Sequence, residues 1–456
     1  MFSEALLYLG VMLVVICLWF LLFKRPIYEG VMLSFVILVA MTGTWGEVGN
    51  FFASAMKTSL LYSMVAFVAM SQILTKTKIV DNCVMIIISL LGRIPGGAGY
   101  ASIIASSFMG ALSGSGPGNV MATGTITIPA MKKTGFPPEL AANVESTASY
   151  LGNMIPPSAN IVAALGAYLA FAGEDSMTTG RFWVVCWGLS LWFVLARIAQ
   201  LFVFCLVYKI KPMDKADIPN LKQTLKEGWT GLLLPVIILL PFVLDSIFNA
   251  SFITDRLGAA GAKGFSGSLL IFVAGIAALY GILAAKDKSV KNFRAIVETF
   301  TKGVKGLAPI VATCIFGYTI GELFEYIHAG DQIKSVFEAM NIGRVGLCLL
   351  VPLLTCFVTM VIPGSSVTVM FGTVFISLFA SAGVDPLLVA AMLPCMCGVM
   401  CGITPPFALG MYAGMSIAES DFDKTLKNDL WWVLVQYLME VIVLLGGGIW
   451  LPIMGL

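Results

Sequence analysis

Long apolar stretches dominate the chain, and most of them approach the length needed to cross a membrane. A spanning helix needs about 20 predominantly apolar residues. Eight stretches meet this description, near residues 5–23, 27–44, 59–75, 182–208, 229–249, 265–285, 306–324 and 430–450. Two shorter segments that carry charges, 78–93 and 331–343, are predicted to be tilted or to lie at the membrane interface. The pattern therefore predicts an all-α polytopic membrane protein.

Two longer apolar stretches, 94–172 and 344–418, are interrupted by glycine, serine and proline. Each is long enough for a re-entrant helical hairpin followed by one interrupted helix. Backbone groups freed at such breaks have no water to bond inside hydrocarbon, so broken backbone occurs where it lines a cavity or is buried in protein. Matching breaks in two halves of a membrane protein are typical of a transporter's binding site.

The interruptions match each other from one half of the chain to the other. The first reads SGSGPGN over 113–119, and a proline pair follows it at Pro156-Pro157. The second reads PGSSVT over 363–368, and a proline pair follows it at Pro405-Pro406. Corresponding residues lie about 250 positions apart. This constant offset predicts two structural repeats.

The repeats define the predicted domain organisation. The first repeat covers 1–208 and the second covers 229–456, with a cytoplasmic linker at 209–228. In each repeat, scaffold helices accompany one hairpin and one interrupted helix.

Lysine and arginine predict the orientation, because short cytoplasmic loops are enriched in them. They are concentrated in two clusters, Lys209, Lys211, Lys215, Lys222 and Lys226, and Lys286, Lys288, Lys291, Arg294, Lys302 and Lys305. With both clusters in the cytoplasm, the N-terminus lies outside the cell membrane. The helix at 59–75 then runs inward and its counterpart at 306–324 runs outward, so the repeats are predicted to be inverted.

Inversion predicts that the two hairpin tips meet. The hairpin around Ser115 would enter from the cytoplasmic side and the one around Ser365 from outside, each ending beside a proline pair. Broken helices expose N-terminal N–H groups, which favour anions, and C-terminal carbonyls, which favour cations. Such a site can hold an organic anion and sodium without a charged side chain.

The candidate binding residues all lie at a hairpin tip or a helix break. They are Ser113, Gly114, Ser115, Gly116, Asn119, Gly152, Asn153, Pro156, Pro157, Ser158, Pro363, Gly364, Ser365, Ser366, Thr368, Thr404, Pro405 and Pro406. Hard cations prefer oxygen ligands, and the predicted sodium ligands are Ser115, Asn119, Ser365 and Thr404. Helix packing by small residues is the alternative interpretation.

Few carboxylates fall within the apolar segments, which favours sodium over protons as the coupling ion. Glu145 follows the first hairpin and is the main functional candidate, with a structural role equally open. Asp245, Glu322 and Glu325 are interpreted as residues near helix ends or the outer interface. His328, the one histidine, is expected at the outer surface.

Composition excludes several classes of protein. Hydrophobic residues make up 59% of the chain and charged residues 11%, and the mean hydropathy of +0.94 leaves no sizeable soluble domain. A net charge of +2 gives no basis for nucleic-acid binding. The motifs of metalloproteases, serine hydrolases and phosphate-binding loops are missing, so no catalytic residue is predicted. Cys395, Cys397 and Cys401 are interpreted as packing residues rather than metal ligands.

Several segments also resemble a known family. They are Leu91–Gly97, the SGSG tip, Thr127–Phe136, Ile155–Ser158, Ile403–Pro406, Tyr412-Ala413 and, more loosely, Pro363–Ser366. On these residues the chain resembles, over nearly its whole length, the large membrane subunit of tripartite ATP-independent periplasmic (TRAP) transporters.

The resemblance implies a fold of the ion-transporter superfamily, with a mobile domain that moves as an elevator. It implies sodium-driven uptake, in the inner membrane, of an organic acid such as a C4-dicarboxylate, a sugar acid or an amino acid. An extracytoplasmic binding protein would deliver the substrate, and a separate small four-helix membrane subunit would be required. The alternative is a stand-alone carboxylate transporter or an ion antiporter of the same superfamily.

Overall fold

A computed structural model describes most of the chain. The described residues are 4–57, 62, 65–66, 69–70, 73–74, 76–77, 79–113, 116–173, 176–285, 287, 291–339, 342–360, 364–405 and 408–450. The regular elements in these ranges are all helical. Six of the described helical segments are long and apolar enough to cross a membrane, which confirms the prediction of an all-α polytopic membrane protein.

The helices fall into two series, one for each half of the chain. The first series is α1 (Glu4–Cys17), α2 (Ile27–Thr42), α3 (Val48–Lys57), α4 (Ile79–Leu91), α5 (Gly97–Ser113), α6 (Gly116–Lys133), α7 (Pro138–Leu151), α8 (Ala159–Ala172) and α9 (Thr179–Val207). The second series is α10 (Leu221–Phe248), α11 (Thr254–Ala284), α12 (Phe293–Tyr326), α13 (Ala329–Ala339), α14 (Arg344–Thr359), α15 (Gly364–Ser381), α16 (Pro386–Leu393), α17 (Leu409–Ala418) and α18 (Phe422–Gly446).

The helices extend beyond the predicted apolar spans at their polar ends. Helix α10 begins at Leu221 rather than near 229, because Asn220 caps it: the side-chain oxygen of Asn220 accepts the backbone N–H of Lys222 at 3.0 Å. Apolar runs mark only the part of a helix that faces hydrocarbon, so they miss such polar first turns. The predicted span at 59–75 lies mostly outside the described residues.

The segment between the predicted spans 229–249 and 265–285 is also helical. A π-helical turn at Asn249–Ile253 leads directly into α11, which has one break at Gly258, where φ is +71°. Positive φ is readily available to glycine because it has no Cβ. The connection between α10 and α11 is therefore a bent helix, which sequence patterning cannot distinguish from a loop.

Both predicted helix interruptions are present. Between α7 and α8 the chain forms a 3₁₀ turn at Gly152–Met154 and a cis peptide bond between Pro156 and Pro157. Between α16 and α17 it forms a π-helical segment at Pro394–Val399 and then a 3₁₀ turn at Met400–Gly402. We refer to these as the first break and the second break.

The helix pairs α5–α6 and α14–α15 correspond to the two predicted hairpins, although their re-entrant character stays a prediction. Helix α5 packs along α6 and α7, and α15 packs against α16 and the second break. The halves also pack across each other, since α15 contacts α8 and α17 contacts α6 and α7. The core of the molecule is therefore built around the two interrupted helices.

The predicted topology can be tested by cysteine labelling. In a cysteine-free background, cysteine at exposed position Lys215 should resist a membrane-impermeant reagent added to intact cells. Cysteine at exposed position Arg256 should react. The reason is the lysine enrichment of the 209–226 segment. Rapid labelling at position 215 with none at 256 would reverse the predicted orientation.

Candidate substrate and ion site

The structure describes most of the predicted site residues. Gly114, Ser115, Pro363 and Pro406 lie outside the described residues, and the side chain of Ser113 does so as well. The remaining candidates are buried or partly buried around the two breaks. Asn119, Asn153, Ser158, Ser366, Thr368 and Thr404 are each at most 8% exposed.

Each hairpin packs backbone to backbone against the break of its own half. In the first half, a Cβ added to Gly152 would meet the backbone of Gly110 and Ala111 in α5, with the Gly110 Cα at 2.5 Å. In the second half, a Cβ added to Gly364 would lie 2.5 Å from the carbonyl carbon of Cys397 and 2.7 Å from the Cα of Gly398. These positions require glycine because no room exists for a side chain.

The ring of Tyr150 joins the first repeat to the second. Tyr150 lies on the last turn of α7 and is 4% exposed. A Cβ on either Gly116, at the start of α6, or Gly410, in the first turn of α17, would lie 2.8 Å from Cδ2 of this ring. A Cβ on Gly402 of the second break would also overlap the ring. The ring therefore fills a slot that only glycine backbone can form.

A second link between the repeats involves the first break itself. The amide of Asn153 donates a hydrogen bond of 2.7 Å to the carbonyl oxygen of Gly398 in the second break. Asn160, in the first turn of α8, approaches the same glycine: its Nδ2 would lie 2.6 Å from a Cβ added to Gly398. The two breaks are thus in direct contact.

These contacts bring four helix N-termini together in two pairs. The first turns of α6 and α17 meet at Tyr150, and those of α8 and α15 meet at Gly398. An N-terminus carries a partial positive charge and N–H groups without intrahelical partners, which together favour an anion. The arrangement can hold a carboxylate without an arginine or lysine.

Hydroxyl oxygens lie beside these N-termini. Thr368 donates to the Gly364 carbonyl at 3.0 Å, and Thr404 donates to the Met400 carbonyl at 2.7 Å. Each hydroxyl donates its single proton to the carbonyl four residues earlier in the chain, so the oxygen lone pairs remain as acceptors. They have the chemistry of sodium ligands.

Two hydrogen bonds from its amide nitrogen fix the orientation of the Asn119 side chain. Its Nδ2 donates to the Ser106 carbonyl and to the Ser149 hydroxyl, both at 2.9 Å. Ser149 in turn donates to the carboxylate of Glu145 at 3.1 Å. A predicted ion ligand is therefore connected through one serine to a buried carboxylate.

Glu145 is 0% exposed and accepts hydrogen bonds from five hydroxyl groups. Ser102 and Thr127 donate to Oε2 at 2.6 Å each, and Ser106 donates to Oε1 at 2.8 Å. Thr123 and Ser149 complete the set on Oε1. An ionised carboxylate is an acceptor only, which matches a shell of hydroxyl donors. The donors come from α5, α6 and α7, so Glu145 holds both hairpin arms to the first interrupted helix.

Within the described ranges, the other three acidic residues predicted near the apolar segments lack a hydroxyl shell like that of Glu145. Asp245 is 1% exposed and accepts from Asn249 at 2.9 Å and from Ser266, so it joins α10 to α11. Glu322, Glu325 and His328 line a cavity of about 400 Å³ between α8, α12 and α15. Two of these three helices, α8 and α15, lead away from the two breaks.

Three buried charged residues were missed by sequence reasoning. Arg197 is 2% exposed, Asp429 is 1% exposed and Glu440 is 0% exposed. The predicted set of acidic residues near the apolar segments, Glu145, Asp245, Glu322 and Glu325, therefore lacked two buried carboxylates. A signal was available, because Arg197 and Glu440 lie inside the predicted spans 182–208 and 430–450, where an ionisable residue is a functional candidate.

The clustered cysteines lie in the second break and are at most 6% exposed. Cys395 donates to Glu440 at 3.4 Å, and Cys401 donates to the Gly398 carbonyl at 3.2 Å. Their small side chains are packed in the interior, where Cys395 also contacts the buried charges.

Comparison with known proteins identifies the family. Residues 6–449 match the model of the tripartite ATP-independent periplasmic transporter, DctM component. The chain belongs to this TRAP permease family. The C4-dicarboxylate TRAP transporter large permease protein DctM of Vibrio cholerae is 26% identical over 401 residues, covering 84% of this chain and 83% of that protein. The sialic acid TRAP transporter large permease protein SiaM of the same organism is 22% identical, covering 86% and 85%. These relatives are transporter permeases and not enzymes.

Two solved structures share the TRAP permease fold described here. The YdaH transporter of Alcanivorax borkumensis superposes with a TM-score of 0.60 at 18% identity, covering 91% of this chain and 89% of that one. MtrF of Neisseria gonorrhoeae superposes with a TM-score of 0.60 at 14% identity, covering 90% and 83%. At such identities the likeness concerns the fold alone.

Proposed function

We propose that this TRAP permease subunit carries out sodium-coupled uptake of an organic acid across the inner membrane. The observation that carries the proposal is the meeting of four helix N-termini in two pairs, one at the ring of Tyr150 beside the first break and one at Gly398 in the second break. The N-termini favour the carboxylate of a substrate. The hydroxyls of Thr368 and Thr404 and the amide of Asn119 offer neutral oxygens to sodium nearby.

The substrate class follows from the charge of the site. A carboxylate bound at helix N-termini places negative charge in a low-dielectric interior, where sodium binding would offset it. Co-binding of the two ions therefore links uptake of one to uptake of the other. Three relatives are named for C4-dicarboxylate, sialic acid and 2,3-diketo-L-gulonate, which all carry a carboxylate. A fourth is named for isethionate, whose acid group is a sulfonate, so an anionic acid group is the feature that the four share.

The membrane partners follow from the family. A small membrane subunit and an extracytoplasmic binding protein would complete the transporter, with the binding protein delivering the substrate. Movement of the hairpins and interrupted helices as one body against α1 to α3 and α10 to α13 would alternate access, as in an elevator. The close backbone contacts at Gly152 and Gly364 support movement as one rigid body, because each hairpin packs against its break too tightly to slide past it.

The proposal predicts a sodium requirement in proteoliposomes that contain this chain, the small subunit and the binding protein. A sodium gradient should drive accumulation of the organic acid, and removal of sodium should stop it. Full uptake driven by a proton gradient in the absence of sodium would contradict sodium coupling. Omission of the binding protein provides the control: uptake that continues unchanged without it would favour a stand-alone carboxylate transporter.

A further inference from the structure

A cluster of buried charges lies apart from the hairpin tips, where α9 meets α18. Asp429, Trp432, Gln436 and Glu440 are spaced by three, four and four residues, which places them on one face of α18. All are buried, and Arg197 of α9 reaches this face. Helices α9 and α18 end the two series, so the cluster joins the repeats at a second place.

The guanidinium of Arg197, the positive charge of the cluster, donates its hydrogen bonds to neutral groups. Arg197 donates from Nη1 to the Trp432 carbonyl at 3.1 Å and from Nη2 to Oε1 of Gln436 at 2.9 Å. Its guanidinium also lies 5.4 Å from the Trp432 ring centre. Among the described residues it forms no ion pair within 4.0 Å with either carboxylate. Of the two, Asp429 has the stronger electrostatic interaction with Arg197.

Glu440 is only half satisfied. Its Oε1 accepts from Nε2 of Gln436 at 3.0 Å and from the thiol of Cys395 at 3.4 Å. Its Oε2 has no hydrogen-bond partner among the described residues, and the side chain is fully buried. Oδ1 of Asp429 is likewise buried without a partner among them, so the two carboxylates differ in their electrostatic interaction with Arg197 and in the contact of Glu440 with Cys395. The surrounding of Glu440 contrasts with that of Glu145, where five hydroxyls share both oxygens. Burying an ionised carboxylate that has one oxygen without a hydrogen bond costs far more free energy than burying a neutral carboxyl group.

The charges of the cluster balance only if one carboxylate carries a proton. The single positive charge, on Arg197, faces two carboxylates, and the negative charge of Asp429 neutralises it. The other groups that face Glu440 are neutral in their ordinary forms, namely Cys356 of α14, Cys395 and Cys397 of the second break, and Tyr437 of α18. A second buried negative charge would have no counterion.

We propose that Glu440 is a proton-binding site, with the proton on Oε2, and that its occupancy is transmitted to the second break through Cys395. Loss of the proton makes Oε1 a stronger acceptor for its two donors, the thiol of Cys395 and the amide of Gln436. The link runs through Gln436, whose Nε2 donates both to Glu440 and to the Cys395 sulfur, the latter at 2.9 Å. Cys395 precedes Gly398 by three residues, and Gly398 contacts Asn153 and Gly364. Proton binding would thus change the contacts of the second break, which forms part of the proposed substrate site.

The test compares the parent with Glu440→Gln, because glutamine reproduces the shape and neutrality of a protonated glutamate. Infrared spectra of the purified chain at neutral pH should show a protonated carboxyl band that is lost in E440Q. Glu139→Gln, a substitution at a partly exposed glutamate of α7, is the matched control and should keep the band. E440Q should also reach the membrane and unfold thermally as the parent does. A band that persists in E440Q, or failure of E440Q to accumulate, would overturn the proposal.

Uptake gives a further readout. The rate of uptake by the parent should change with pH over a range in which that of E440Q stays constant, and identical profiles would overturn the proposal. This readout rests on the proposed function. A parent without sodium-driven uptake would contradict that function, and the infrared comparison would then decide the proton site by itself.

Discussion

Replacing Glu145 with glutamine is expected to lower sodium-dependent uptake at least about tenfold and to destabilise the protein. The carboxylate accepts from five hydroxyls. Glutamine keeps one oxygen acceptor but replaces the other with an NH₂ group, which is a donor and would face hydroxyls that now donate to that oxygen. Hydrogen bonds to a charged group contribute about 1.5–3 kcal/mol each, so a loss on the order of 3 kcal/mol is expected. Thermal unfolding of the purified chain and initial rates of uptake measure the two effects.

The loss of uptake should exceed what stability alone explains. The Ser149 link to Asn119 would lose its anchor, which would misplace a predicted sodium ligand near the start of α6. We expect uptake at fixed sodium to fall at least about tenfold, equivalent to about 1.4 kcal/mol. Glu139→Gln, on the same helix and partly exposed, should leave both measurements unchanged. Parent-like stability and uptake in Glu145→Gln would show that the hydroxyl shell has no role in positioning the hairpin.

Substituting alanine for Gly364 should also stop transport, through backbone displacement. The added Cβ would lie 2.5 Å from the carbonyl carbon of Cys397 and 2.7 Å from the Cα of Gly398. Neither is the end of a flexible side chain, so α15 must move away from the second break. Overpacking of this kind costs about 1–3 kcal/mol. Uptake should fall below detection while the protein still reaches the membrane.

Gly343→Ala provides a matched control within the same helix pair. Gly343 precedes α14, has φ of −71°, and has no neighbour within 4 Å of an added Cβ. This substitution should leave uptake and membrane abundance unchanged. Equal activity of the Gly364 and Gly343 variants would contradict a tight contact between hairpin and break. Sodium titration of any residual uptake in Gly364→Ala would show whether ion binding is lost together with turnover.

Apolar patterning predicted spans that match long helices of the described residues, and the glycine, serine and proline interruptions predicted the two breaks. Runs of hydrophobic residues predicted α9 at 182–208 and α18 at 430–450, close to Thr179–Val207 and Phe422–Gly446. The matched offset between 113–119 and 363–368 pointed to two segments of which Gly116 packs against Tyr150 and Gly364 packs against the second break; contact between the two hairpin tips stays a prediction. These features are local, since hydrocarbon selects apolar side chains and penalises broken backbone residue by residue. The family resemblance rested on the same motifs, and comparison confirmed it.

Tertiary structure alone decided which residues meet across the breaks. Nothing in the sequence links Tyr150 to Gly116, Gly402 and Gly410, since their sequence separations follow no period. Likewise, Glu145 could be recognised as a candidate, but its five hydroxyl partners come from three helices. Periodicity shows which face of a helix is buried, whereas the packing angle and register between helices determine what that face contacts.

The buried charges show the same division most clearly. The sequence places Arg197 and Glu440 within apolar spans, and so marks both as costly residues that need partners. It cannot show that Arg197 is held by Gln436 and the Trp432 carbonyl, or that Oε2 of Glu440 is left without a partner. Those facts depend on the approach of α9 to α18, which brings together residues 235 positions apart in the chain. The sequence thus determined where charge is buried, and only the folded arrangement decided which charges are compensated, because compensation requires contact in space.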